Sequence, residues 1–268
     1  MFMEERQKDI VKKLNETGRV LVSELQERYG ISADCARRDL RLLEGKGLLQ
    51  RTHGGAIALR ERVCFPAETY SPEDFSGERP DYRAVAAEAV KQIREGEVIY
   101  LTTSQVGYDM AKLLPDSLSV TVLTNSISVA EVLRRKSAVS LIFLGGGMNH
   151  RGNCHDWYTV NMVKNIHMDK AFFSHTAFDL SFGASLHESS GAELARAIME
   201  NSSVNIGVYP SSKIGRQAVH RVCRPESYDL LITDSGICED FAAQAAELGL
   251  RVEIARLPEE KQGCAGLR

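Results

Sequence analysis

No stretch of this sequence approaches the ~20 apolar residues that a membrane-crossing helix requires. The opening residues, Met-Phe-Met-Glu-Glu-Arg, show no basic segment followed by an apolar one, so no secretory leader is expected. Six cysteines, at 35, 64, 154, 223, 238 and 264, fall in no CxxC or other paired spacing. That pattern argues against a disulfide framework and fits reduced thiols in a cytoplasmic protein. Low-complexity tracts and internal repeats are missing, which leaves out fibrous and solenoid architectures. His150, Cys154, His155 and Asp156 lie close together but match no zinc spacing, so neither a metal nor an organic cofactor is expected. Trp157 is the single tryptophan; with Tyr158 beside it, it is expected to anchor a loop by packing.

What remains is an ordinary globular composition, 43% hydrophobic and 26% charged over 268 residues. That length suits a small module joined to a larger one. The net charge of −3 conceals an asymmetry. Residues 1–60 hold 12 Lys and Arg against 9 Asp and Glu, and the rest holds 21 against 27. A basic front and an acidic back fit a nucleic-acid-binding head on a body that does not touch nucleic acid.

The front carries the stronger pattern. Ile10, Val11 and Leu14 share one face of a helix expected over 3–17, with Gly18 as its stop. Ser23, with Gln26 three residues on, reads as the capped start of a second helix that ends near Gly30. Ser32 caps a third. At ~100° per residue, Asp34, Arg37, Arg38 and Arg41 share one face of that third helix, while Ala36, Leu40 and Leu43 fall opposite. One side can pack on the first two helices while the other lies in a major groove, where arginine forks read guanine or clamp phosphate. Asp34 either accepts from a cytosine amine or favours the helix N-terminus. Asp39 belongs to neither face and is expected to be structural. Next come a short strand with Arg51, a turn at His53, Gly54 and Gly55, and a second strand to Ile57. Helix, turn, arginine-bearing helix and β-wing make a winged helix-turn-helix. The candidate DNA contacts are therefore Ser23, Ser32, Asp34, Arg37, Arg38, Arg41, Arg51, His53, Gly54 and Gly55. The two glycines allow positive φ and close approach to phosphate.

Residues 58–80 hold three prolines without periodicity and read as a linker. From 81 to 258 strands alternate with helices, which implies βαβ units and a mainly parallel sheet. Strands are expected at 97–102, 120–124, 139–144, 170–177, 204–209, 229–234 and 251–255. Helices are expected at 84–93, 106–114, 127–135, 188–202 and 239–248. Residues 259–268 form a tail. Hydroxyls and amides gather at three successive strand ends, at Thr102, Thr103, Ser104 and Gln105, at Thr124, Asn125 and Ser126, and at Gly146 and Gly147. With the point charge of Lys213 they make a candidate anion site. Ordinary strand-end turns use the same residue types.

Residues 6–57, with Ser32-Ala-Asp-Cys-Ala-Arg-Arg-Asp-Leu40 and Thr52-His-Gly-Gly-Ala56, resemble the DeoR-type bacterial transcriptional regulators. The resemblance continues through Thr124-Asn-Ser126, Leu144-Gly-Gly146, Asp169-Lys-Ala-Phe172 and Ser212-Lys-Ile-Gly215, and so spans nearly the whole chain. It implies a second domain similar to ribose-5-phosphate isomerase and glucosamine-6-phosphate deaminase, binding a phosphorylated sugar or related metabolite. It also implies a homo-oligomer, dimer or tetramer, on double-stranded operator DNA, regulating a carbohydrate-use operon, most often as a repressor. The chain departs from the family at several positions. Cys35 and Ala36 replace a Thr-Ile/Val pair. Thr102-Thr-Ser-Gln-Val106 stands where the family has Asp-x-Gly-Thr-Thr, Pro210-Ser-Ser-Lys213 where it has Asp-His-Ser-Lys, and Thr176-Ala177 where it has Asp-Gly. Three acidic positions suited to sugar hydroxyls are thus absent. A sugar-phosphate isomerase or deaminase with a DNA-binding appendage would need a carboxylate base at those strand ends. A regulator whose body only oligomerises is the other alternative.

Overall fold

The computed structural model describes residues 3–46, 48–52, 54–58 and 79–257. His53, most of the expected linker and the expected tail lie outside them. The chain divides into two compact units, residues 1–61 and 62–268.

In the first unit, α1 (Met3–Thr17), β1 (Arg19–Leu21), α2 (Val22–Tyr29) and α3 (Ala33–Gly45) are followed by β2 (Leu49–Arg51) and β3 (Gly55–Ala58). The three strands form one antiparallel sheet in the order β1-β3-β2. Strand β1 is absent from the sequence reading, because three residues are too few to show a period. It corrects the expected helix start. Leu21, in extended conformation, ends β1 and is itself the N-cap, so Ser23 falls inside the first turn. There the Glu24 carboxylate accepts the Leu21 N–H at 3.4 Å, half of a capping box shifted two residues earlier than expected. Ser32 caps α3, its Oγ accepting the Cys35 N–H at 3.2 Å. Ile10 and Leu14 of α1, Leu25 of α2, Ala36, Leu40 and Leu43 of α3 and Leu49 of β2 are buried together, so each helix contributes one apolar stripe to a small core.

The second unit opens with α4 (Pro80–Val90), β4 (Val98–Leu101), α5 (Gln105–Leu113), β5 (Val120–Thr124), α6 (Ile127–Leu133) and β6 (Val139–Phe143). It continues with α7 (Trp157–Val163), β7 (Met168–Phe173), β8 (Ala177–Asp179), β9 (Gly183–Leu186), α8 (Ser189–Glu200) and β10 (Ser202–Val208). It ends with β11 (His220–Cys223), β12 (Leu230–Asp234), α9 (Phe241–Glu247) and β13 (Val252–Ala255). Helix α4 starts inside the stretch read as linker, because Pro80 sits at its first position, where the missing N–H costs nothing.

Seven strands form one parallel sheet in the order β13-β12-β10-β7-β4-β5-β6. Strand β4 lies inside the sheet next to the central β7, with β5 and β6 built out one way and β7, β10, β12 and β13 the other. Its side chains alternate. Ile99 and Leu101 join Val85, Met110 and Val129 under α4, α5 and α6, while Tyr100 turns to the opposite core with Phe173, Ile198 and Phe241. Helices thus cover both faces, as a parallel sheet requires. Two features went unanticipated. The first is a three-stranded antiparallel sheet, β11-β9-β8. The second is α7, whose N-cap is Asp156. The strand expected to reach 177 stops at Phe173, and Ala177 instead opens β8.

Candidate functional site

In the first unit α3 is amphipathic in the sense the sequence implies. Ala36, Leu40 and Leu43 are buried, while Asp34, Arg37, Arg38 and Arg41 are exposed on the other side. Arg37 Nη1 lies 3.2 Å from Asp34 Oδ1, one turn away, so part of the acidic charge on this face is matched within the helix. Asp39 is only 2% exposed. Its Oδ2 accepts from Arg6 Nε at 2.7 Å and its Oδ1 from Gln7 Nε2 at 3.4 Å, both on α1. The pair fixes the rotation of α3 about its axis and therefore which residues face outward. Arg6 Nη2 also reaches Cys35 Sγ at 3.6 Å, which places that side chain toward α1.

Ser23 and Ser32 are exposed at the N-terminal ends of α2 and α3. Arg51 is half-buried on β2 and donates its backbone N–H to Glu44 Oε1 at 2.9 Å, tying the wing to the end of α3. The two wing glycines differ. A Cβ at Gly54 meets nothing within 4 Å, whereas at Gly55 it would lie 2.0 Å from the Val20 carbonyl oxygen. Neither has a positive φ. Gly55 is required by the close pass of β1, a requirement within the protein rather than at a phosphate.

In the second unit a cavity of about 130 Å³ opens at the carboxyl ends of β4 and β7. The chain runs outward in opposite directions from these neighbouring strands, so the cavity lies at the topological switch point, where ligands bind in open parallel sheets. Thr102 and Thr103 follow β4, and Ser174, His175 and Thr176 follow β7. Asn125 enters from the end of β5, where its Oδ1 accepts from the Tyr100 hydroxyl at 2.9 Å and its Nδ2 donates to the Cys154 carbonyl at 2.6 Å. His187 and Glu188 close the far wall ahead of α8.

Of the ten residues proposed from sequence for a ligand, Thr102, Thr103 and Asn125 line this cavity. The others do not line it. Ser104 caps α5, accepting the Gly107 N–H at 3.4 Å. Gln105 is buried and donates to Asp109 Oδ1 at 3.1 Å. Thr124 Oγ1 donates to the Leu101 carbonyl at 3.1 Å, and Ser126 is buried beside it. Gly146 has φ 150° and leaves no room for a side chain, since a Cβ would stand 2.3 Å from Asp156 Oδ1. Gly147 donates its N–H to Asp156 Oδ2 at 2.7 Å. The glycine run is strapped to the start of α7, and these backbone hydrogen bonds hold the Asp156 carboxyl below its usual range. Lys213 stands behind the cavity wall, its Nζ donating to Ser174 Oγ at 3.2 Å.

That strap shapes the part of the site the sequence reading did not include. The loop between β6 and α7 folds back on itself through Asn149, whose Oδ1 accepts the N–H groups of Arg151 and Asn153, both at 3.0 Å. It brings Asn149, Arg151, Asn153 and His155 to the cavity. His155 Nε2 lies 3.0 Å from Glu188 Oε2 and its Nδ1 lies 2.8 Å from Ser190 Oγ. His175 is buried, with Nδ1 2.6 Å from the Tyr209 hydroxyl and 3.2 Å from that of Tyr228. Burial, and next the charge of Lys213, push its pKa down to about 3, so it is a neutral hydrogen-bonding group. His187 is pushed down by burial and by Arg151. Asp156 with Thr159 three residues on is the signal that could have revealed the loop, because it marks a helix start nine residues after Gly147. Trp157 and Tyr158 do not anchor this loop. They lie on the outer side of α7, 70% and 67% exposed, their rings meeting edge to face at 5.2 Å. Among the described residues no group of three or more His, Cys, Asp or Glu is placed to hold a metal ion, and no helix is long and apolar enough to cross a membrane.

Two family models match this chain, the DeoR-like helix-turn-helix domain over residues 6–62 and the DeoR C terminal sensor domain over residues 80–235. The chain belongs to the DeoR family. Its DeoR-type relatives include the uncharacterized HTH-type transcriptional regulator YulB of Bacillus subtilis, 31% identical over 98% of this chain and 100% of that protein. The HTH-type transcriptional repressor GlcR of the same organism is 28% identical over 87% of this chain and 89% of that one. The transcriptional repressor AccR of Agrobacterium fabrum is 28% identical over 87% and 90%. Partial likeness in structure extends to ribose 5 phosphate isomerase A from Neisseria gonorrhoeae, at 14% identity and TM-score 0.37 over 54% of each chain. It extends also to eIF2B beta from Chaetomium thermophilum, at 16% identity and TM-score 0.41 over 56% of this chain and 47% of that one. As a DeoR-family member the chain is a transcriptional regulator with a DNA-binding head and a sensor domain, not an enzyme.

Proposed function

We propose that this regulator represses a carbohydrate-use operon, and that a phosphorylated sugar or related metabolite in the sensor cavity releases it from DNA. In this reading residues 1–57 form the DNA-binding head, 58–80 the linker, and 81–258 the effector-binding and oligomerisation domain. The observation that carries the proposal is the outward face of α3. Arg37, Arg38 and Arg41 are held away from the buried Ala36, Leu40 and Leu43 and oriented by the bond between the partly buried Arg6 and the buried Asp39. Such a face suits the major groove, with Ser23, Ser32, Arg51 and the wing on flanking phosphates. Repressor activity is supported by the names of GlcR and AccR. The cavity at the switch point, with its hydroxyls, amides and nearby Lys213, supports a small anionic effector. A homo-oligomer would set two heads on repeated or palindromic half-sites.

The test starts from DNA captured out of fragmented genomic DNA by the full chain. Arg38→Ala and Arg41→Ala each lower affinity for the captured site by at least about tenfold, the loss expected for one base or phosphate contact. Each also makes the salt dependence shallower by about one unit of slope per phosphate contact removed. Unaltered binding by both variants removes α3 as the recognition helix. Addition of phosphorylated sugars to the wild-type complex then shows whether any of them releases the DNA.

A further inference from the structure

Helix α7 turns an apolar side to water. Thr159, Val160 and Val163 are buried on its inner side, and the two valines pack in the core that Ile142 of β6 joins. Trp157, Tyr158 and Met162 fall on the opposite side at ~100° per residue, and they are 70%, 67% and 41% exposed. Ile127 and Met148 are 48% exposed each and reach the same end of the helix through the loop between β6 and α7. Ile127 sits on Gly152, where a Cβ would lie 2.5 Å from Ile127 Cγ2. Met148 bridges to Cys154, two residues ahead of the helix cap. None of the five side chains carries a charge. Asp156, the acid nearest in sequence, is turned onto the Gly147 and Thr159 N–H groups. Lys164 donates to Asn161 Oδ1 at 3.1 Å, which puts a polar pair at the rim. Among the described residues β6 is an edge of the sheet. Its five residues, Val-Ser-Leu-Ile-Phe, hold neither a charge nor a proline, two of the devices that guard an exposed edge.

Resting on the homo-oligomer proposed above, we infer that a second copy of this chain binds at the outer face of α7, centred on Trp157 and Tyr158. Charge selects that occupant. The chain beyond residue 60 holds 21 Lys and Arg against 27 Asp and Glu, so two such bodies repel over most of their surfaces. A two-fold contact presents the same patch from both sides, and any charge near its axis would meet its like. This patch holds none, so like can lie on like. For the same reason it offers a nucleic acid or a charged peptide nothing to pair with. Area agrees. A Trp or Tyr buries ~150–250 Å², so two rings about two-thirds exposed leave roughly 200–350 Å² uncovered. A two-fold contact counts that area twice, roughly 400–700 Å², before Met148, Met162 and Ile127 are added. With them the face approaches the ~1,000 Å² that a specific interface clears. Aromatic and methionine side chains within a polar rim are also what the centre of an interface is made of.

Trp157 is the single tryptophan, so the face carries its own reporter. The full chain is sedimented across a dilution series, and acrylamide quenching of its fluorescence is read on the same samples. Wild type sediments as two or more copies with its tryptophan shielded, and wherever dilution lowers the mass, quenching rises with it. Tyr158→Glu and Met162→Glu each set a carboxylate in the contact. Each shifts the chain toward single copies, raising the dissociation constant by about tenfold or more, and opens the tryptophan to acrylamide. Both side chains are exposed and circular dichroism establishes that the variants are folded. Val219→Glu, at an apolar side chain 63% exposed elsewhere on the surface, leaves association unchanged. If the chain associates with its tryptophan open throughout, or if both α7 variants associate as wild type does, this face is wrong while the homo-oligomer stands. If wild type is a single copy at every concentration, both are overturned. Dissociation by Val219→Glu as strong as that by the α7 variants would trace the loss to added charge and sink the assignment.

Discussion

Two buried ionisable residues set the behaviour of this chain at the scale of single side chains. Asp39 lies within α3, on the helix that carries the exposed arginines, yet serves the fold. It is 2% exposed and its Arg6 partner 11%. Removing one member of such a pair strands the other's charge in a poorly solvated place, at a cost of about 3 kcal/mol. Asp39→Ala should therefore strip hydrogen-exchange protection from peptides of α1 and α3 in the full chain, with sensor peptides unchanged. Asp34→Ala, at a side chain 95% exposed, should leave that protection intact. Equal loss in both variants would show that the Arg6–Asp39 contact does not hold the helices together. In the sensor, His175 is the residue to watch. Its folded pKa of about 3 lies below the ordinary 6.5, so the unfolded chain takes up a proton first as pH falls. Stability from this group is full above pH 6.5 and is lost progressively toward pH 3. By pH 5 the loss amounts to about 2 kcal/mol. Burial raises the two tyrosines at the ring, Tyr209 and Tyr228, far above that window. His187, also pushed down by burial, adds its own part to the wild-type slope, so the difference between wild type and a His175 variant reads the His175 part. Urea unfolding followed at pH 7.5 and pH 5 should show a smaller drop for His175→Gln than for wild type, and an identical drop would refute the assignment.

Elements differ in how far the sequence discloses them, and the head shows why. Helices α1 and α3 were legible because eleven or more residues of 3.6-residue periodicity leave a pattern that survives a misplaced cap. Strand β1, with three residues, leaves none. Its consequences were legible only in the structure, in the shifted start of α2 and in the real reason for Gly55. That glycine exists because the β1 backbone passes within contact distance, and a Cβ would meet the Val20 carbonyl oxygen at 2.0 Å. Gly55→Ala should thus separate β1 from β3 and cost about 2 kcal/mol or more, as overpacking against rigid backbone does. Gly54→Ala, with open space around it, should cost no more than about 0.5 kcal/mol. Thermal unfolding of the two variants checks this, and comparable destabilisation would overturn the packing account. In the sensor the parallel strands were legible from their apolar runs, and so were Thr102, Thr103 and Asn125 as strand-end residues. Asn149, Arg151 and Asn153 were not. Their place in the cavity depends on a loop that folds back through side-chain-to-backbone hydrogen bonds, which carry no period. The short strands β8, β9 and β11 escaped for the same reason as β1.

For the whole molecule, regulation is a coupling free energy between two sites, whatever path carries it. If effector binding in the sensor cavity weakens operator binding by a factor in the usual range of about 5 to 150, the operator must weaken effector binding by the same factor. Both legs can be measured on one preparation. The operator Kd is taken with and without saturating effector, and the effector Kd with and without saturating operator DNA. The charge asymmetry of the chain makes the conditions matter. The front 60 residues are net basic and the remainder net acidic, so operator affinity falls steeply with salt while affinity for a small anion at an enclosed site falls less. Matching factors at each of two salt concentrations, on top of very different absolute affinities, would establish one switch with two states read from both ends. Unequal factors at the same salt cannot come from a closed equilibrium between the same four species. They would show that the ligand acts through a change of oligomeric state, which adds a species to the cycle.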